Sequence, residues 1–143
     1  MWKYLHSVWG GFVLLLLAYV IVHHTWRLLG RKPYVLASDF RLALFGLVVY
    51  VLQLLLGIGT YVNSPYFEGI LNGKFGFYMK NAHDRLIVIE HPTMAFLGLL
   101  FMLYGFRRMY YQIDYRRKYI SIILFYTLAL IMVLLRLPWA DWL

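Results

Sequence analysis

No cysteine occurs in this 143-residue chain, and acidic residues number only six. Without thiols, disulfides, thiolate metal sites and iron–sulfur clusters are excluded. Charge of either sign is scarce, with Asp, Glu, Lys and Arg together at 14% where soluble domains run to about 25%. Apolar residues take the place of the missing polar ones, at 63% of the chain and a mean hydropathy of +0.68. A soluble fold of this size has too little interior to hide that much apolar surface. The chain reads as an integral membrane protein, with the lipid bilayer as its first partner.

Four apolar runs, at about 5–29, 42–62, 86–106 and 119–137, each approach the roughly 20 residues that cross a bilayer. Gly30-Arg31-Lys32-Pro33 stops the first and Pro138 the fourth. The first run is longer than a signal-peptide core and no small-x-small cleavage site follows it, so it is expected to be a retained span. Antiparallel spans joined by short connections predict one domain over 1–143, an all-α, up-down four-helix bundle. The longest connection, 63–85, reads as an outer loop punctuated by Ser64-Pro65, Gly69, Asn72-Gly73 and Gly76 and studded with aromatics.

The formal charge of +8 would recommend nucleic acid in a soluble chain; here its placement matters more than its sum. Arg27, Arg31, Lys32, Arg41, Arg107, Arg108, Arg116, Arg117 and Lys118 fall in the first and third connections. Lys3, Lys74, Lys80, Arg85 and Arg136 fall at the other end, together with Glu68, Asp84, Glu90 and Asp141. The positive-inside rule then predicts cytoplasmic first and third loops and both termini outside. No nucleic-acid partner is expected.

Chemistry concentrates in Leu86-Ile87-Val88-Ile89-Glu90-His91-Pro92-Thr93-Met94-Ala95. A carboxylate, an imidazole and a proline at the mouth of a span are costly in lipid, because charge needs a partner and proline frees a backbone carbonyl. His6 opens the first span and His91 the third, and these two spans run in the same direction. Both imidazoles therefore sit at similar depth, the arrangement required of two axial ligands on one b-type haem. Gly10 and Gly11 lie one turn beyond His6, and Ala95 and Gly98 one and two turns beyond His91. Such small residues would admit a macrocycle, although they also serve plain helix packing. Arg85, Arg136 and Lys80 are candidate cations for the propionates.

The remaining polar residues have plainer readings. His23 and His24 are expected as interfacial side chains near headgroups. His24 follows His6 by about five turns and shares its face, but the only candidate partner there for a second haem is Met109. His83 reads as a solvated loop residue and as the substitute ligand should His91 not bind metal. Gln53, deep in the second span, is expected to join helices, or to meet a ligand histidine or a quinone carbonyl. Glu90 projects about 100° from His91 on a helix, so an ion pair with Arg136 is preferred over contact with the imidazole. Tyrosine and phenylalanine are expected mostly on lipid-facing and interfacial surface.

Leu5-His6-Ser7, Gln53-Leu54-Leu55-Leu56-Gly57, Ser64-Pro65, Glu90-His91-Pro92 and Pro138-Trp139 together resemble a family of small four-helix bacterial membrane proteins labelled "cytochrome B". The resemblance runs over essentially the whole chain. More distantly the chain is similar to one four-helix half of haem A synthase. The resemblance implies a bacterial cytoplasmic-membrane protein, His6 and His91 as haem ligands, and Glu90 as the acid near a ligand. In the synthase the acid lies one turn from the histidine, whereas here it is adjacent. The expected function is a haem b subunit passing electrons, with a quinol as one donor. The alternatives are a haem-free accessory subunit of a larger membrane complex and a haem-modifying enzyme. A membrane-protein partner or a homodimer is expected in each case.

Overall fold

The computed structural model describes residues 1–142. Four long helices, α1 (Trp2–Leu29), α2 (Leu36–Val62), α5 (Ala82–Tyr111) and α6 (Tyr115–Leu135), are each long and apolar enough to cross a membrane. Two short helices, α3 (Pro65–Leu71) and α4 (Phe75–Lys80), join α2 to α5, and a 3-10 turn, Trp139–Asp141, follows α6. No strand occurs among the described residues. The long helices alternate in direction as an up-down bundle. α1 packs on α2 and α6, while α5 packs most extensively on α6 and less on α2. That order leaves α1 and α5 facing each other across the diagonal.

The spans are longer than their apolar runs. α2 starts at Leu36 instead of about 42, α5 at Ala82 instead of about 86, and α5 and α6 are separated only by residues 112–114. Local chemistry explains the extensions. The Asp114 carboxylate caps α6 by accepting from the Arg116 amide at 3.1 Å. The Asn81 side chain caps α5 by accepting from the amides of His83 and Asp84. The expected loop 63–85 is likewise mostly helical. Ser64 caps α3 by accepting from Phe67 N, Pro65 takes the first helical position, and Gly73 at φ +79° turns the chain after it. The Tyr66 hydroxyl then donates to Asp84 at 3.1 Å and ties this segment back to the start of α5.

Each of α2 and α5 contains one π-helical turn, Leu36–Phe40 and Leu86–Glu90. Such turns rotate the residues that follow them relative to a regular helix. In α5 the turn precedes Pro92, whose missing N–H leaves the Val88 carbonyl without its helical donor. The Tyr61 hydroxyl of α2 supplies that donor at 3.1 Å. Tyr61→Phe is expected to cost about 0.6–1.7 kcal/mol, the range for hydrogen bonds between membrane helices. Unfolding of the variant in mixed micelles measures the loss, and an unchanged midpoint would show that Val88 needs no second helix.

The core runs along the bundle axis through Val13, Leu17, Val20, Leu47, Met102, Ile122 and Ala129. Three tyrosines depart from the expected lipid-facing placement: Tyr50, Tyr119 and Tyr126 are buried. Their hydroxyls explain it. Tyr50 donates to the Ala95 carbonyl of α5 at 2.8 Å, and Tyr126 to the Ala43 carbonyl of α2 at 2.8 Å. A phenol is thus a long apolar plate with a polar tip that fastens one helix to the backbone of another.

Candidate functional site

The start of α1, the turn Trp139–Asp141 and the segment 63–85 lie at one end of the bundle, and His6 and His91 meet there across the α1–α5 diagonal. Their ring centroids are 6.2 Å apart and their planes are inclined by 79°. Imidazole nitrogens bind metals at about 2 Å, so two rings sharing one metal in line have centroids about 6 Å apart. The observed separation is of that size. His91 Nδ1 donates to the Arg136 carbonyl at 3.1 Å, a contact that fixes the ring and leaves Nε2 with a free lone pair.

His6 is held differently. The Gln53 amide nitrogen lies 3.1 Å from His6 Nδ1 and 3.1 Å from the His6 carbonyl, so it donates to both and the imidazole proton resides on Nε2. The Gln53 Oε1 atom is buried with no partner. Ligation through Nε2 requires the proton to move to Nδ1 and the amide to turn so that its oxygen accepts from it. Gly57 of α2 lies flush against the same ring, where an added Cβ would stand 3.1 Å from His6 Cε1. Sequence reasoning found Gln53 and missed Gly57, although Gln53 and Gly57 sit four residues apart on one helical face.

The small residues chosen from sequence are near the pair, but the space beside two of them is filled. The Gln53 amide occupies the face of Gly10, where a Cβ would meet Nε2 at 2.9 Å. The Tyr50 hydroxyl occupies that of Gly98, at 2.5 Å from the Cβ position. Gly11 faces the Trp142 ring, and Ala95 contributes its carbonyl to Tyr50. The filler at Gly10 is the far end of a flexible side chain. The spacing and donor type of the histidine pair are compatible with two imidazoles sharing one haem iron, while the faces of Gly10 and Gly98 are taken by the Gln53 amide and the Tyr50 hydroxyl.

Glu90 makes the ion pair expected of it and a second one. Its carboxylate accepts from Arg85 Nε at 2.8 Å and lies 3.3 Å from Arg136 Nε. One carboxylate between two guanidiniums leaves a surplus positive charge beside His91, suited to a further anion. His83 is half exposed and stands 3.5 Å from Asp141, away from the imidazole pair.

The opposite, basic end holds a cluster that sequence reasoning missed. The Asp39 side chain is fully buried at the foot of α2. Its Oδ2 accepts from the Val35 amide at 2.7 Å, the Tyr119 hydroxyl at 2.8 Å and Arg27 Nη2 at 3.1 Å, while His23 Nε2 lies 2.8 Å from Oδ1. The Tyr119 hydroxyl in turn accepts from Arg27 Nε at 3.2 Å. His24 is thus an interior residue, and the partly exposed His23 is tied to Asp39. His24 is fully buried, with Nδ1 2.7 Å from the Val20 carbonyl and Nε2 3.2 Å from the Asp39 carbonyl. Met109 meanwhile takes the Tyr34 hydroxyl on its sulfur at 3.4 Å. Both ring nitrogens of His24 thus face backbone carbonyls, and the Met109 sulfur is engaged by Tyr34.

No cluster of three or more His, Asp or Glu residues suited to a bare metal ion occurs among the described residues. No protein-family model, curated protein or solved structure matches the chain.

Proposed function

We propose that the chain is a membrane cytochrome-like subunit in which His6 and His91 hold one haem b for electron transfer, with a quinol as one source of electrons. The observation that carries this reading is the approach of two imidazoles, from helices on opposite corners of the bundle, to a separation of 6.2 Å. Two imidazoles brought together in an apolar bundle lose hydration, a cost that shared ligation of one metal offsets. A haem supplies a one-electron carrier whose potential follows its axial ligands and their hydrogen bonds. On the side of the chain, the Arg136 carbonyl orients His91 and Gln53 sets the tautomer of His6. The surplus charge of Arg85 and Arg136 beside Glu90 supports the reading, since it would attract a propionate.

A second reading, a haem-free accessory subunit, draws support from the filled faces of Gly10 and Gly98. The engaged carboxylate of Glu90 gives no support to a haem-modifying enzyme, which needs an acid free to act. A reduced-minus-oxidised absorption spectrum of the detergent-purified protein, with pyridine haemochrome quantitation, separates the first two. A sharp α-band and about one haem per chain is the expected result. A preparation that stays colourless after haem is added sinks the cytochrome reading and leaves the accessory one.

A further inference from the structure

A recess of about 440 Å³ opens at the basic end, between the 30–35 connection, the foot of α2 and the α5–α6 turn. Its size is in the range of small-molecule sites. Tyr34, Phe40 and Tyr110 form aromatic walls, and Leu36 and Ile113 form an apolar rim. Ile113 is 98% exposed and adjoins exposed Leu36 and Tyr110, a contiguous apolar rim that acyl chains could cover. Lys118 stands in the recess half-buried, its ammonium 5.4 Å from the centroid of the Tyr34 ring. No carboxylate pairs with it among the described residues.

Neither nearby acid pairs with it. Asp39 is matched by Arg27 and His23, and Asp114, exposed at the start of α6, caps that helix and forms no ion pair with Lys118. Exposed Arg116 and Arg117 adjoin Lys118 in sequence, and Arg31 and Lys32 lie on the neighbouring connection. A half-buried, unmatched ammonium within an aromatic wall, under an apolar rim and a positive field, calls for an anionic head attached to an apolar body. Basic pockets between membrane helices bind the headgroups of acidic lipids in this way. We propose that this recess binds an anionic phospholipid, with the phosphate on Lys118 and the acyl chains over Leu36 and Ile113.

The test is a titration of the full chain in detergent with phosphatidylglycerol or phosphatidylcholine, read by soft-ionisation mass spectrometry. Wild type is expected to retain phosphatidylglycerol preferentially, and Lys118→Ala to lower that preference about fivefold. Lys74→Ala, which removes an exposed cation at the far end, is expected to leave it unchanged. Lys118→Gln repeats the test with a longer polar side chain if the alanine variant loses helicity. Equal preference in wild type and the Lys118 variants overturns the proposal. Displacement of the lipid by millimolar inorganic phosphate would also overturn it, since the site would then belong to a free anion.

Discussion

Asp39→Ala is expected to destabilise the bundle by about 3–5 kcal/mol, the cost of removing one partner from a buried ion pair. The substitution strands more than one group. Arg27 loses its counter-ion, Tyr119 and His23 lose a hydrogen-bond partner, and the Val35 amide loses its acceptor at the exposed start of α2. Asp39→Asn retains an acceptor for Val35 and Tyr119 but cannot balance Arg27, so a smaller loss is expected. Tyr119→Phe removes one hydrogen bond to a charged group and is expected to cost about 1.5–3 kcal/mol. Replacing both charges at once, as Arg27→Met with Asp39→Leu, is expected to recover part of the single-variant loss, because no unpaired charge remains. Unfolding in mixed micelles reads all four. An Asp39→Ala variant within about 1 kcal/mol of wild type would mean that the pair behaves as a surface one and is screened by water.

That cluster was hidden in the sequence for physical reasons. Asp39 lies in a stretch, Gly30 to Arg41, that carries three cations, a glycine and a proline, the composition of a solvated connection. The π-helical turn Leu36–Phe40 extends α2 through it and sets the carboxylate inward. Its partners are distant along the chain, in α1 and α6, so no local spacing announces them. The tyrosines were illegible for a related reason. Within spans that are apolar at every position, periodicity cannot separate a core face from a lipid face, and Tyr126 reads like Tyr104 until packing distinguishes them. The four spans themselves were legible because 20-residue apolar runs have few other uses. The placement of His6 near His91 and of Glu90 near Arg136 followed from depth alone. Two side chains at one level on helices of known direction can be paired without knowing which faces meet. The filled faces of Gly10 and Gly98 could not be read this way, since the side chains that fill them come from α2.

On the proposed haem site, His91→Ala is expected to abolish haem retention, taking the α-band of the purified protein to background, and His6→Ala to do the same. Loss of one imidazole would leave a haem with a single protein ligand in an apolar setting, and the remaining ring could not supply the second bond. His83→Ala is the control, because His83 shares the same end of the bundle, is half exposed and contacts Asp141 alone among charged groups. His23 is unsuited to that role, since its removal disturbs Asp39. Gln53→Leu separates ligation from packing. It removes the amide oxygen that, once turned, would accept from His6 Nδ1 in the ligating tautomer, and loss of such a supporting hydrogen bond typically lowers affinity about 10–100-fold without changing the ligands. The variant is therefore expected to bind haem weakly, with an α-band unchanged in position. Comparable haem loss in the His83 and His91 variants would break the ligand assignment. Retention of haem by both single variants at His6 and His91 would place the ligands elsewhere, and the close approach of the two imidazoles would then be packing between α1 and α5.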